Sequence, residues 1–71
     1  SSYEMGEEGP MNVRVFDMTG RQVLARSAYH DQPGQYQLEI PLRDEGLAPG
    51  LYLLGVTRKN LIDEIRVILQ Y

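Results

Sequence analysis

Polar and apolar residues alternate along most of the chain. In "QYQLEIP", Tyr36, Leu38 and Ile40 are apolar or aromatic, while Gln35, Gln37 and Glu39 are polar. That period of two is what a β-strand with one inward and one wet face requires. "GLYLLGVTR" puts Tyr52, Leu54 and Val56 on one face. "DEIRVILQY" does the same with Ile65, Val67, Leu69 and Tyr71, leaving Arg66 and Gln70 opposite. "MNVRVFD" sets Met11, Val13 and Val15 against Asn12 and Arg14, with Phe16 out of phase, and "QVLARSAY" continues after a turn. "SSYEM" fits a short first strand. No helical period competes, and "LRDEGLAPG" has room for one tight helical turn at most.

The breaks between these runs are "GEEGP", "MTG", "HDQPG", "RDEGLAPG" and "KN", all built from turn-forming residues. Strands this short, separated every ten residues or so by Gly or Pro, predict an all-β fold, a small antiparallel β-sandwich of about six or seven strands.

The stretch "VFDMTGRQV" reads as a three-residue hairpin closed by Asp17 and Arg21, with Met18, Thr19 and Gly20 as its loop. Gly20 falls where φ must be positive. The Asp17 carboxylate is placed to accept from the backbone N–H of Thr19 or Gly20 as an Asx-turn. An ion pair to Arg21 at such an exposed turn adds little stability. Unbroken pairing predicts Val15 opposite Val23 and Val13 opposite Ala25 on the core side. Phe16 then meets Gln22 and Arg14 meets Leu24 on the outer side, and Phe16 and Leu24 leave a small apolar patch there.

With 71 residues the chain is one small domain, and a domain of this size buries only about 60% of its unfolded surface. It has no cysteine, so neither disulfides nor thiolate metal sites brace it. The net charge is −3 with scattered Lys and Arg, which gives no basic stripe for nucleic acid. No apolar run is long enough for a membrane-spanning helix. "SSYEMGEEGP" is too polar and acidic for a signal peptide, and the absence of an initiator Met points to a piece of a larger protein. Residues 1–71 read as a single domain in which 1–10 form a partial first strand and turn, with no internal repeat.

Catalytic chemistry finds little support. Glu7-Glu8, Asp44-Glu45 and Asp63-Glu64 are adjacent pairs, and neighbours on a strand point to opposite faces, so none forms an acid–base dyad. His30 is the only histidine and lacks a nucleophile partner at motif spacing. A metal site of His30 and Asp31 alone is too weak. Phosphate-loop, dinucleotide and zinc-protease motifs are absent. Of five tyrosines, Tyr36 and Tyr52 fall on core faces, and there is no Trp to stack a sugar. The reading is a non-enzyme without catalytic residues, metal or cofactor.

Taken in order, "VRVFDMTGRQV", "YQLEIPL", "LAPGLYLLGV" and "EIRVILQY" resemble the C-terminal sorting domain of the type IX (Por) secretion system over roughly residues 11–71. Asp17, Gly20, Arg21, Val23, Leu47, Gly50, Tyr52 and Val56 fall on that family's pattern, and Arg66 lies near the basic residue at the start of its last strand. The resemblance implies an Ig-like sandwich at the C-terminus of a secreted protein, or of a retained component of the machinery. Such a domain crosses the outer membrane of a Gram-negative bacterium by way of the periplasm and is recognised by shuttle, sortase and translocon proteins. It implies partner contacts at Asp17, Gly20, Arg21, Gly50, Tyr52, Arg66, Val67, Leu69 and Tyr71, and no nucleic acid or small-molecule substrate. Two features depart from the pattern. The common "YPNP" first strand is absent, and "SYEMGEEGPMNVRVFD" is similar instead to the Ig-like domain of the flagellar hook-capping protein. The last residue is Tyr71 rather than Lys or Arg. Alternative readings are a structural Ig-like spacer and, further off, a carbohydrate-binding module.

Overall fold

A computed structural model describes residues 2–70, and among them the only regular elements are six strands. They are β1 (Ser2–Met5), β2 (Gly9–Phe16), β3 (Gln22–His30), β4 (Gly34–Gln37), β5 (Gly50–Arg58) and β6 (Leu61–Leu69). β1 and β4 form a two-stranded sheet, and the other four form a sheet in the order β3-β2-β5-β6. Every pairing is antiparallel. This is the small antiparallel β-sandwich that the alternation predicts.

The core lies between the sheets. β2 contributes Met11, Val13 and Val15, β5 contributes Tyr52, Leu54 and Val56, and Tyr3 and Met5 come down from β1. Val13, Val15 and Val56 are the most deeply buried, because β2 and β5 are the two inner strands. β-Branched side chains suit that position, packing well on a pleated surface with both neighbours filled. The connection from β4 to β5 closes one side, with Leu42 buried and Leu38, Ile40 and Leu47 packed against the core. Leu38 and Ile40 keep their inward alternation although β4 itself ends at Gln37. The Glu45 N–H donates to the Pro41 and Leu42 carbonyls and the Gly46 N–H to the Arg43 carbonyl, which makes the single tight turn expected there.

Arg58 ties the sheets together at the far end. It follows Val56 on the inward row of β5, donating from Nε to the Glu4 carbonyl of β1 (2.7 Å) and from Nη2 to Asp63 of β6 (2.8 Å).

The β2–β3 register differs from the unbroken pairing. Phe16 does face Gln22, but Val15 faces Leu24, Arg14 faces Ala25 and Val13 faces Arg26. Val23 is an extra residue, a β-bulge, and beyond it every side chain of β3 changes face. Leu24 is therefore buried in the core rather than part of an outer patch with Phe16. The physical reason lies in the sequence of β3, where two apolar residues stand side by side. Strict alternation lets only one of them reach the core, whereas the bulge buries Leu24 and leaves Val23 packed against the same core.

The chain also carries a short repeat that the sequence reading missed. "QPGQY" (32–36) and "APGLY" (48–52) share Pro-Gly-x-Tyr and fold alike. The Tyr36 hydroxyl donates to the Gln32 carbonyl at 2.7 Å, and the Tyr52 hydroxyl to the Ala48 carbonyl at 2.6 Å. In both, the glycine opens a strand with a positive φ, +150° at Gly34 and +157° at Gly50. Each tyrosine thus bolts down the loop that leads into its own strand.

Candidate functional site

The hairpin between β2 and β3 forms as a three-residue loop. The Asp17 N–H donates to the Arg21 carbonyl (2.9 Å) and the Gly20 N–H to the Asp17 carbonyl (3.0 Å). Gly20 has φ +88°, so the turn needs a residue without Cβ strain. Asp17 Oδ1 accepts from the Thr19 N–H (2.9 Å), the Thr19 hydroxyl (2.6 Å) and the Arg21 N–H (3.1 Å). The Gly20 N–H is taken by the backbone instead. Arg21 Nε stands 3.5 Å from Asp17 Oδ2 with its side chain 77% exposed. The Thr19 hydroxyl, then the two backbone N–H groups and Arg21, hold the Asp17 carboxyl below the ordinary carboxylate value, and desolvation only partly opposes them.

The sheet brings the signature segments, which are distant in sequence, to one end. Gln22 faces Phe16, Phe16 faces Leu53 and Leu53 faces Arg66, a single row across all four strands. The 17–21 turn lies beyond one side of this row. On that same side, Leu51 pairs with Ile68 and Gly50 with Leu69.

The nine residues that the resemblance assigns to partner contact separate by exposure. Gly20, Arg21, Gly50 and Arg66 are exposed, and Asp17 is half-buried in its own turn. Tyr52 is buried, and Val67, directly across from it, packs against the core with Leu69. Those three shape the end of the sandwich from within. Tyr71 lies outside the described residues.

Four apolar side chains gather at this end, and of these sequence reasoning placed only Phe16 on the outer face. Phe16, Leu51, Leu53 and Ile68 all lie on the outer face, away from the buried row of Val15, Tyr52 and Leu54. Phe16 and Leu53 are half-buried, and Leu51 and Ile68 are exposed, Ile68 to 69%. Met18, at the hairpin tip, is 70% exposed. The available signal was in β5, where Leu51 and Leu53 stand on the face that alternation assigns to water.

The opposite region holds a compact aromatic cluster. Tyr3 stacks on Tyr36 with ring centres 5.9 Å apart, and His30 packs edgewise against Tyr36 at 4.1 Å. The Tyr3 hydroxyl lies 2.6 Å from His30 Nε2. Burial, and then Tyr36, raise the Tyr3 phenol above its ordinary value, partly opposed by Arg58. His30 closes β3, opposite Gly9, rather than sitting free in a turn. Of the described tyrosines only Tyr29 is exposed, at 65%, so they form no flat aromatic platform. Among the described residues no three His, Cys, Asp or Glu side chains come together as metal ligands.

These features define a small two-sheet β-domain with an exposed hairpin tip and an outer apolar row beside it. A family model described as a secretion system C-terminal sorting domain matches residues 2–70, and the chain belongs to that family. Its domains are C-terminal sorting signals for type IX secretion, which takes proteins across the outer membrane to the cell surface or beyond. No curated protein matches the chain.

Proposed function

We propose that this domain directs its parent protein through the type IX route by docking, as a folded unit, onto the shuttle, sortase and translocon proteins of that system. The docking surface is the end of the four-stranded sheet where the 17–21 turn, the start of β5 and the end of β6 meet. The convergence of the family's signature residues on that end is the observation that supports it. Arg21 and Arg66 frame the outer apolar row, a charged rim around a desolvatable centre. Asp17, Gly20 and Tyr52 hold the surface in shape. The domain performs no chemistry of its own in this role.

The test is a fusion of residues 1–71 behind a periplasm-directed reporter in a bacterium that has the system. The reporter is expected at the cell surface or in the medium, and in the periplasm when a system component is deleted. Retention in the periplasm of the intact strain, with the fused domain folded, would favour the spacer reading and sink this one.

A further inference from the structure

We propose that β6 is a self-pairing edge, which joins a second copy of this chain antiparallel about a twofold axis through Ile65. The two edges of the four-stranded sheet differ. β3 is guarded: Arg26 faces the core side and pairs with Glu45 of the β4–β5 connection, an inward-pointing charge with a loop over it. β6 carries neither Pro nor Lys along nine residues, its one inward-row charge, Asp63, is already held by Arg58 of β5 (2.8 Å), and it shows Leu61 at 57%, Ile62 at 70% and Ile68 at 69% exposure. A long edge with exposed isoleucines is a template for another strand.

The sequence of β6 names the strand. Its outer face reads Ile62, Glu64, Arg66, Ile68. Turned end for end, that series matches itself with the charges exchanged. Centred on Ile65, Ile62 faces Ile68 of the second copy and Glu64 faces Arg66 of the second copy, and symmetry repeats both pairs. On the core side Ile65 meets its own counterpart, Leu61 meets Leu69, and Asp63 stands opposite Val67 of the second copy while keeping its bond to Arg58.

The neighbouring registers are worse. Sliding by one residue turns the outer isoleucines of one copy onto the core side of the other. Sliding by two places Glu64 against Glu64 in one direction and Arg66 against Arg66 in the other, and like charges directly opposite destabilise a pair. Only the Ile65-centred register satisfies face and charge together. The product is a continuous eight-stranded sheet with an isologous interface. The inference stands on the edge of β6 and does not depend on the sorting role.

Sedimentation velocity on residues 1–71 tests it, with circular dichroism to confirm folding. The chain is expected to enter a monomer–dimer equilibrium as its concentration rises toward about 1 mM. E64R and R66E each create two like-charge pairs and are expected to weaken the dimer roughly tenfold or more. The double variant E64R/R66E restores opposite charges and is expected to recover the dimer. A chain that stays monomeric over that range overturns the proposal. So does a dimer indifferent to either folded single reversal, or a folded double variant that fails to recover.

Discussion

The Tyr52 hydroxyl reaches back four residues to the Ala48 carbonyl at 2.6 Å and pins the Pro49-Gly50 loop against the strand it introduces. Tyr52→Phe keeps the ring and removes only that bond, so it is expected to cost about 1 kcal/mol. In a domain of this size that corresponds to a fall in melting temperature of roughly 4–8 °C. Tyr36→Phe, in the matching loop, is expected to cost less, because its ring is only half-buried. Calorimetry measures both, and an unchanged Tyr52→Phe melt would show that the ring alone holds the loop.

Asp17 makes the hairpin sensitive to acid. Its carboxyl is held below the ordinary value of 3.8, chiefly by the Thr19 hydroxyl. A carboxyl whose folded value is depressed takes up a proton more readily when unfolded. Its contribution is therefore complete above the ordinary value and is lost as pH falls through the lowered one. Urea titrations of the native chain and Asp17→Asn are expected to differ at neutral pH and to converge in strong acid. A gap that stays constant to pH 2 would remove Asp17 from this role.

Tyr3 acts at the other end of the pH scale. Burial, the largest cause, lifts its phenol above the ordinary value of 10.0, with Tyr36 adding to the rise. A group with a raised folded value contributes stability that is complete below the unfolded value and is lost as pH climbs through the folded one. Alkaline unfolding of the native chain is therefore expected to include a component that Tyr3→Phe lacks. An identical alkaline limb in both would refute it.

Arg21 separates recognition from scaffolding. Its pair with Asp17 is 3.5 Å long and mostly in water, and such pairs contribute little. Arg21→Ala is expected to leave the melting temperature unchanged within error while lowering export of the fused reporter. If the variant unfolds instead, Arg21 belongs to the scaffold, and its loss of export says nothing about docking.

Much of this architecture is legible in the alternation of β5, where Tyr52, Leu54 and Val56 are buried as a period of two requires. The 17–21 turn is equally legible, because Asp17 and Gly20 are there for local backbone reasons. The bulge at Val23 is not. Val23 and Leu24 are both apolar, so periodicity has no means of choosing which one faces inward, and the choice falls to packing. The outer row that joins Phe16, its one member legible from alternation, to Leu51, Leu53 and Ile68 is hidden for a related reason. It assembles from three strands whose order in the sheet no single segment encodes. The aromatic cluster of Tyr3, His30 and Tyr36 likewise comes from three strands, and only the pairing of β1 with β4 brings its two tyrosines together.

The position of β6 also sets how the sheet yields to tension. Gly50 faces Leu69 at the open end of the β5–β6 hairpin, and the 59–60 turn closes the other end. A pull that draws the end of β6 sideways from β5 loads the Gly50–Leu69 rung first and then each rung in turn toward the turn. The strand peels like a zip at low force, whereas β2, held on both flanks by β3 and β5, must break two ladders at once. Mechanically, the edge place of β6 lets it leave the sheet rung by rung, against a single ladder.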